Sequence, residues 1–172
     1  MTNIRKLLRS LTLLALALPA PAFSAATLLT VKSPAPVELK RSGKGEARFH
    51  VTVAPGYHVQ SNPASDNYLI ATTLKLRAVR GVRAGKPAYP KGEVFRLEGS
   101  PDSITTYAGT FDIVVPVRAT DEARAGLRVL QGTLRYQACD SKSCLAPRTV
   151  PIKLSVAVLK SRSRLTGVHA SP

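Results

Sequence analysis

Two residues of this 172-residue chain can make and break a covalent bond without a cofactor: Cys139 and Cys144, its only cysteines. They lie in the stretch Tyr136-Gln137-Ala138-Cys139-Asp140-Ser141-Lys142-Ser143-Cys144-Leu145-Ala146-Pro147. A β-branched and aromatic-bearing run precedes the pair and an alternating apolar run follows it, so the stretch is expected to be a hairpin with a thiol at each shoulder. Facing strands of a hairpin bring Cβ atoms to the roughly 3.8 Å that a disulfide needs. The ring so closed is small: chain entropy gives it about 2 kcal/mol of stabilisation, against roughly 4 or more for a long crosslink. A purely structural staple would be better placed elsewhere. Exchange chemistry, for its part, needs access and thiolate character. Lys142 favours a thiolate and Asp140 opposes it, and no Cys-x-x-Cys at a helix start supplies the thioredoxin arrangement. Spacing alone therefore leaves a structural staple and a redox pair both open.

Other chemistry finds little support. The two cysteines with two of His50, His58 and His169 could complete a tetrahedral metal site in number, yet no ligand spacing supports one. No metal and no other cofactor is expected. No Ser-His-Asp order, phosphate loop or carboxylate pair stands out, so hydrolysis has no positive support.

The start of the chain decides how the thiols are read. Arg5, Lys6 and Arg9 precede an apolar run from Leu11 to Leu18 and then small residues at Ala22, Ser24, Ala25 and Ala26. Residues 1–26 thus read as a secretory signal peptide, cleaved after Ser24 or Ala26. The apolar run is too short for a membrane span of roughly 20 residues, so no stable membrane insertion is expected. In an exported protein an even number of cysteines is expected to pair, which joins Cys139 to Cys144. The formal net charge is +15. The cations are dispersed along the expected strands and no nucleic-acid motif accompanies them, so nucleic acid is not an expected partner. Nonspecific attraction to anionic surfaces fits the charge better.

The elements that must position the pair are strands. Thr27 to Lys40, broken by Pro34 and Pro36, reads as an edge strand or arm. Glu46 to Val53 alternates cleanly, with Ala47, Phe49, Val51 and Val53 on one face. Thr73 to Val79 alternates with Leu74, Leu76 and Ala78 inward, and Thr110 to Ala119 with Phe111, Ile113, Val115 and Val117 inward. Pro116 marks an edge or a bulge. Glu93 to Leu97 and Ser103 to Tyr107 are expected to flank a turn. From Leu127 the apolar parity shifts from odd to even positions, and Gly132 is the candidate bulge. Thr133, Arg135 and Gln137 then form the polar face, and Cys139 continues that series, so a regular strand turns Cys139 outward. Val150, Ile152, Leu154, Val156 and Val158 give the longest alternation. The expected organisation is a single domain over 27–159, an all-β antiparallel sandwich of immunoglobulin type, with a disordered basic tail over 160–172.

Tyr136-Gln137-Ala138-Cys139, four residues, Cys144-Leu145-Ala146-Pro147 and the following Thr149-Val150 resemble the signature of the N-terminal domain of the periplasmic thiol:disulfide interchange protein DsbD. The same family is also labelled disulfide bond corrector domain. Gly56-Tyr57-His58-Val59-Gln60-Ser61-Asn62-Pro63 with Tyr68-Leu69-Ile70, and Tyr107 with Phe111 to Val117, look like its loop and penultimate core strands. The resemblance covers roughly Leu28 to Val158. It implies an immunoglobulin-like fold whose cysteine pair cycles between dithiol and disulfide, with Cys144 attacking and Cys139 resolving. It further implies a periplasmic setting, a separate membrane-embedded thiol electron donor, and oxidised periplasmic client proteins. Tyr136, Gln137, His58, Gln60 and Pro147 become neighbours of the pair; His58 and Gln60 fall where the family places aromatic residues. Two departures stand out. The best-known members have one more residue between the cysteines, and their aromatic cap loop corresponds to Leu97 to Asp102, which carries no aromatic residue here. The competing reading is a non-catalytic β-sandwich interaction domain with a structural hairpin disulfide.

Overall fold

Alternation of apolar and polar residues at period two decides the two long sheets. In the computed structural model, which describes residues 27–160, Phe49, Val51 and Val53 of β3 (Lys44–Val53) are buried while Arg48, His50 and Thr52 are exposed. β9 (Thr110–Ala119) buries Phe111, Ile113, Val115, Val117 and Ala119 in the same way, and its register sets Phe49 opposite Ile113. These strands form the middle of a sheet ordered β1-β3-β9-β6, with β1 (Leu29–Lys32) and β6 (Val82–Ala84) at its edges. Facing it is a second sheet ordered β2-β12-β10-β5, built from β2 (Val37–Leu39), β12 (Arg148–Val158), β10 (Gly126–Tyr136) and β5 (Thr73–Leu76). The segment with Pro34 and Pro36 carries the chain from one sheet to the other, and β2 lies parallel to β12. Leu130, Leu134, Leu154 and Val156 from this second sheet are fully buried in one core with Phe49, Ile113 and Val115. Among the described residues no helix is assigned, and the architecture is an immunoglobulin-like β-sandwich. No helix among them is long and apolar enough to cross a membrane.

A third, smaller sheet sits at one end, ordered β11-β4-β8-β7: β11 (Ala138–Cys139), β4 (His58–Gln60), β8 (Ser103–Tyr107) and β7 (Glu93–Arg96). The turn feeding β4 is dictated locally. Tyr57 N–H bonds the Ala54 carbonyl at 3.1 Å, with Pro55 and then Gly56 at φ 77° between them, the arrangement in which proline presets one turn residue and glycine supplies the positive φ of the next.

The structure corrects three strand expectations. β10 pairs with β12 without interruption from Gly126↔Val158 to Tyr136↔Arg148, so Gly132 is not a bulge. No parity shift exists: even positions face the core throughout, and Leu127 and Val129 are exposed apolar residues. Gly132 is explained by close approach instead, since a Cβ there would stand 2.1 Å from the Lys75 carbonyl oxygen of β5. Ala78, expected inward, is exposed, because β5 ends at Leu76. Pro116 does lie where no ladder donor is needed. Its carbonyl accepts from Gly85 N–H at 2.7 Å, just past the end of β6, so the side that lacks an N–H faces that gap. The signal-peptide reading and all but Lys160 of the tail reading lie outside the described residues.

Candidate functional site

The two cysteines are placed by a break between sheets. β10 ends at Tyr136, Gln137 leaves the ladder, and Ala138–Cys139 join β4 in the third sheet, with Cys139 opposite His58. Gln137 spends its hydrogen-bonding groups on this seam. Its backbone carbonyl accepts from Gln60 N–H at 3.0 Å, its Oε1 accepts from Ile70 N–H at 2.9 Å, and its Nε2 donates to the Leu145 carbonyl at 3.2 Å. The turn between the cysteines is tightened by Asp140. The Asp140 N–H donates to the Ser143 carbonyl at 3.0 Å, while its Oδ1 accepts the Lys142 and Ser143 amides at 2.8 and 2.7 Å. Leu145 N–H then returns to the Ala138 carbonyl at 2.7 Å.

Cys139 and Cys144 are joined by a disulfide. Cys139 is 0% exposed and Cys144 is partly exposed. The outward placement that strand parity gave Cys139 is therefore corrected: counting along one regular strand fails once the chain changes sheets at Gln137. Cys139 is nonetheless absent from the contiguous sandwich core. Its cover comes from Gln60, also 0% exposed, whose Nε2 donates to Cys139 Sγ at 3.1 Å and to Cys144 Sγ at 3.6 Å. Gln60 is itself pinned through its carbonyl, which accepts from Thr72 Oγ1 at 2.6 Å and Thr72 N–H at 3.2 Å.

Cys144 opens into a cleft of about 240 Å³ lined by Tyr68, Leu69, Leu97, Ile104 and Gln137, among others. The wall formed by the β7–β8 turn is tied to the cysteine turn by the Glu98 N–H to Ser141 carbonyl bond, 2.7 Å. The turn from Leu97 to Asp102, which carries no aromatic residue, thus lies against the cysteine turn and lines the cleft at Cys144 through Leu97, Ser100 and Asp102. The aromatic rings stand to either side: Tyr68 is 67% exposed on the cleft rim, and Phe95 stacks on His58 with centroids 3.8 Å apart. Burial pushes the His58 imidazole below its ordinary value of 6.5, partly opposed by Glu93. Burial thus favours the uncharged form of His58.

Residues 25–155 match the family of the N-terminal region of the thiol:disulfide interchange protein DsbD. The chain belongs to that family. Comparison with curated proteins finds no match. Among solved structures, the N-terminal periplasmic domain of ScsB from Proteus mirabilis is similar at 13% identity and a TM-score of 0.43, over 76% of this chain and 45% of that one. A family 123 glycoside hydrolase from Clostridium perfringens follows at 8% identity and TM-score 0.41, over 78% and 28% of the two chains. The fimbrial subunit AggA from Escherichia coli follows at 10% and 0.38, over 76% and 94%. The chain thus spans less than half of the ScsB domain and of the hydrolase it matches.

In this member of the DsbD N-terminal family the residues singled out from sequence are distributed unevenly. His58, Gln60 and Gln137 surround the disulfide; Tyr136 is buried at the end of β10, opposite Arg148; Pro147 is exposed beyond the turn. His50 lies elsewhere, on the outer face of β3, where its Nδ1 meets Asp112 Oδ1 at 2.5 Å, and His169 is outside the described residues. Sequence reasoning passed over Thr72, Phe95 and Ile104 as site residues, and reached Leu97 only as the start of the turn where the family's cap loop falls. Phe95 and Ile104 were visible as apolar residues of short strands facing each other across a turn; nothing in the sequence marks Thr72.

Asp140 yields a direct expectation. Its carboxylate is held below the ordinary range chiefly by the Lys142 and Ser143 backbone N–H groups. A depressed folded pKa means that the contribution is present above the unfolded carboxylate value and is lost as pH falls through the folded one. Asp140→Ala should therefore speed hydrogen exchange at the Lys142 and Ser143 amides by several-fold at neutral pH. It should leave β3 and β9 amides unchanged, and a uniform change across the domain would refute the local assignment.

Proposed function

We propose that this domain is a thiol:disulfide exchange module of the periplasm, carrying reducing equivalents from a separate membrane-embedded dithiol donor to oxidised client proteins. The supporting observation is the asymmetry of the pair: Cys144 borders an open cleft while Cys139 is sealed. In the reduced domain the Cys144 thiolate attacks one sulfur of the client disulfide, a mixed disulfide forms, and the other client sulfur leaves as a thiolate that takes up a proton. Cys139 then attacks Cys144 Sγ, restoring the domain disulfide and releasing the second client thiol. One client disulfide becomes two thiols and the domain dithiol becomes a disulfide, so electrons and protons balance. Residues 1–26 serve as the export signal in this reading, 27–159 as the module and 160–172 as a basic tail.

Cys139→Ala tests the scheme. With the resolving sulfur removed, the mixed disulfide through Cys144 should accumulate on periplasmic proteins and disappear on adding dithiothreitol. If neither Cys139→Ala nor Cys144→Ala traps a partner and the wild-type potential lies below about −300 mV, the pair is a resistant structural bond.

A further inference from the structure

Gln60 has a feature that its role as cover does not explain. Its Nε2 reaches both sulfurs, yet its Oε1 is buried with no hydrogen-bond partner. An amide oxygen left bare in the interior gives up its hydration with nothing in return, and a side chain at 0% exposure with every other polar group committed is a poor place for that loss. The disulfide cannot relieve it, because oxidised sulfur offers lone pairs and no proton.

We propose that Gln60 is the amide that stabilises the half-ionised dithiol, the state from which exchange proceeds. The inference rests on reading the pair as an exchange centre. A dithiol reductant supplies two electrons and two protons: the Cys139–Cys144 bond breaks, the reductant becomes a disulfide, and two thiols are left. When one thiol releases its proton, the site holds one S–H and one thiolate. Gln60 matches both. Its N–H₂ donates to the thiolate in a charge-assisted bond stronger than its present contact with neutral sulfur, and the remaining S–H is the donor that Oε1 lacks. The His58 ring Nδ1 is turned to Thr106 Oγ1, 3.4 Å away, whereas the Gln60 amide is the group in contact with both sulfurs. The other charged or titratable groups around the pair are Tyr68 on the cleft rim, Glu93 beside His58, Asp140 and Lys142 in the cysteine turn, and Glu98 and Asp102 in the β7–β8 turn. All of these stay in place when Gln60 alone is replaced.

Gln60→Met keeps the length and removes both donor and acceptor. Equilibrated against dithiothreitol, the variant should show an equilibrium constant for reduction lower by about tenfold, ~30 mV for a two-electron couple. The pH profile of alkylation by iodoacetamide should move upward by about one unit. Gln60→Glu keeps an acceptor, loses the donor and adds a negative charge, so its profile should move further upward. In the wild type, the Gln60 side-chain amide signals in a nitrogen–proton correlation spectrum should shift on reduction and slow in hydrogen exchange. Unchanged potential and alkylation profile in Gln60→Met would overturn the inference. So would Gln60 amide signals that are indifferent to the redox state, a test that needs no variant to fold. The result is separable from the fate of the exchange reading, which fails when no partner is trapped; the wild-type-to-variant difference is measured with a small dithiol whatever the partner.

Discussion

A Cys144→Ser variant is expected to lose thiol:disulfide exchange completely while keeping its fold. Exchange requires a thiolate at the surface, and serine offers a hydroxyl that is not ionised at neutral pH. The remaining cysteine does not substitute, because Cys139 is 0% exposed beneath the Gln60 amide. The reduced variant should react with an aromatic disulfide far more slowly than reduced wild type, and Cys139→Ala should retain the fast phase. Equal rates in Cys144→Ser and wild type would make Cys139 the attacking residue and reverse the scheme. Stability separates chemistry from unfolding here. Opening a six-residue ring removes about 2 kcal/mol by chain entropy, and the loss should be similar in both cysteine variants, so a difference in exchange between them reflects access to sulfur.

The largest expected effect on stability lies in the sandwich core. Phe49 is 0% exposed on β3, opposite Ile113. Phe49→Ala should cost about 3–5 kcal/mol, since the lost transfer free energy adds to that of a cavity which two regular, fully paired strands cannot collapse to fill. Against a total of about 5–15 kcal/mol, this brings the domain near the limit of folding. The expected measurement is a large drop in urea midpoint at an unchanged slope, followed by circular dichroism. Val94→Ala, at a residue 77% exposed on β7, supplies the control and should move the midpoint little. A Phe49→Ala midpoint within error of wild type would mean that β3 and β9 do not meet as described.

What the sequence made legible follows from strand length. β3, β9 and β12 run 10, 10 and 11 residues, long enough for alternation to average over local exceptions, and their inward faces were readable residue by residue. The sheet that holds the site is built from strands of two to five residues, where period two has too few repeats to fix a face. Hence Cys139 was assigned the wrong environment. Gln60 was placed beside the pair by the family resemblance alone, since a three-residue strand gives no parity that would show its amide sealed against the sulfurs. Gly132 misled for a different reason: a glycine in a strand marks either a bulge or a close approach, and only the pairing of β10 with both β12 and β5 distinguishes them. The resemblance at the cysteine motif located the site although strand parity misjudged it.

The separation of five positions between the cysteines, set beside the separation of 64 positions between Phe49 and Ile113, also carries a temporal meaning. Closing a ten-residue loop takes about 10–100 ns, whereas ladders joining distant segments place a domain among the slow folders. The two sulfurs of an unfolded chain therefore encounter each other long before the sandwich exists. That encounter does not set the pace of oxidation, which takes seconds to hours; a ring this short leaves every distant pairing of the sandwich to be found by other means.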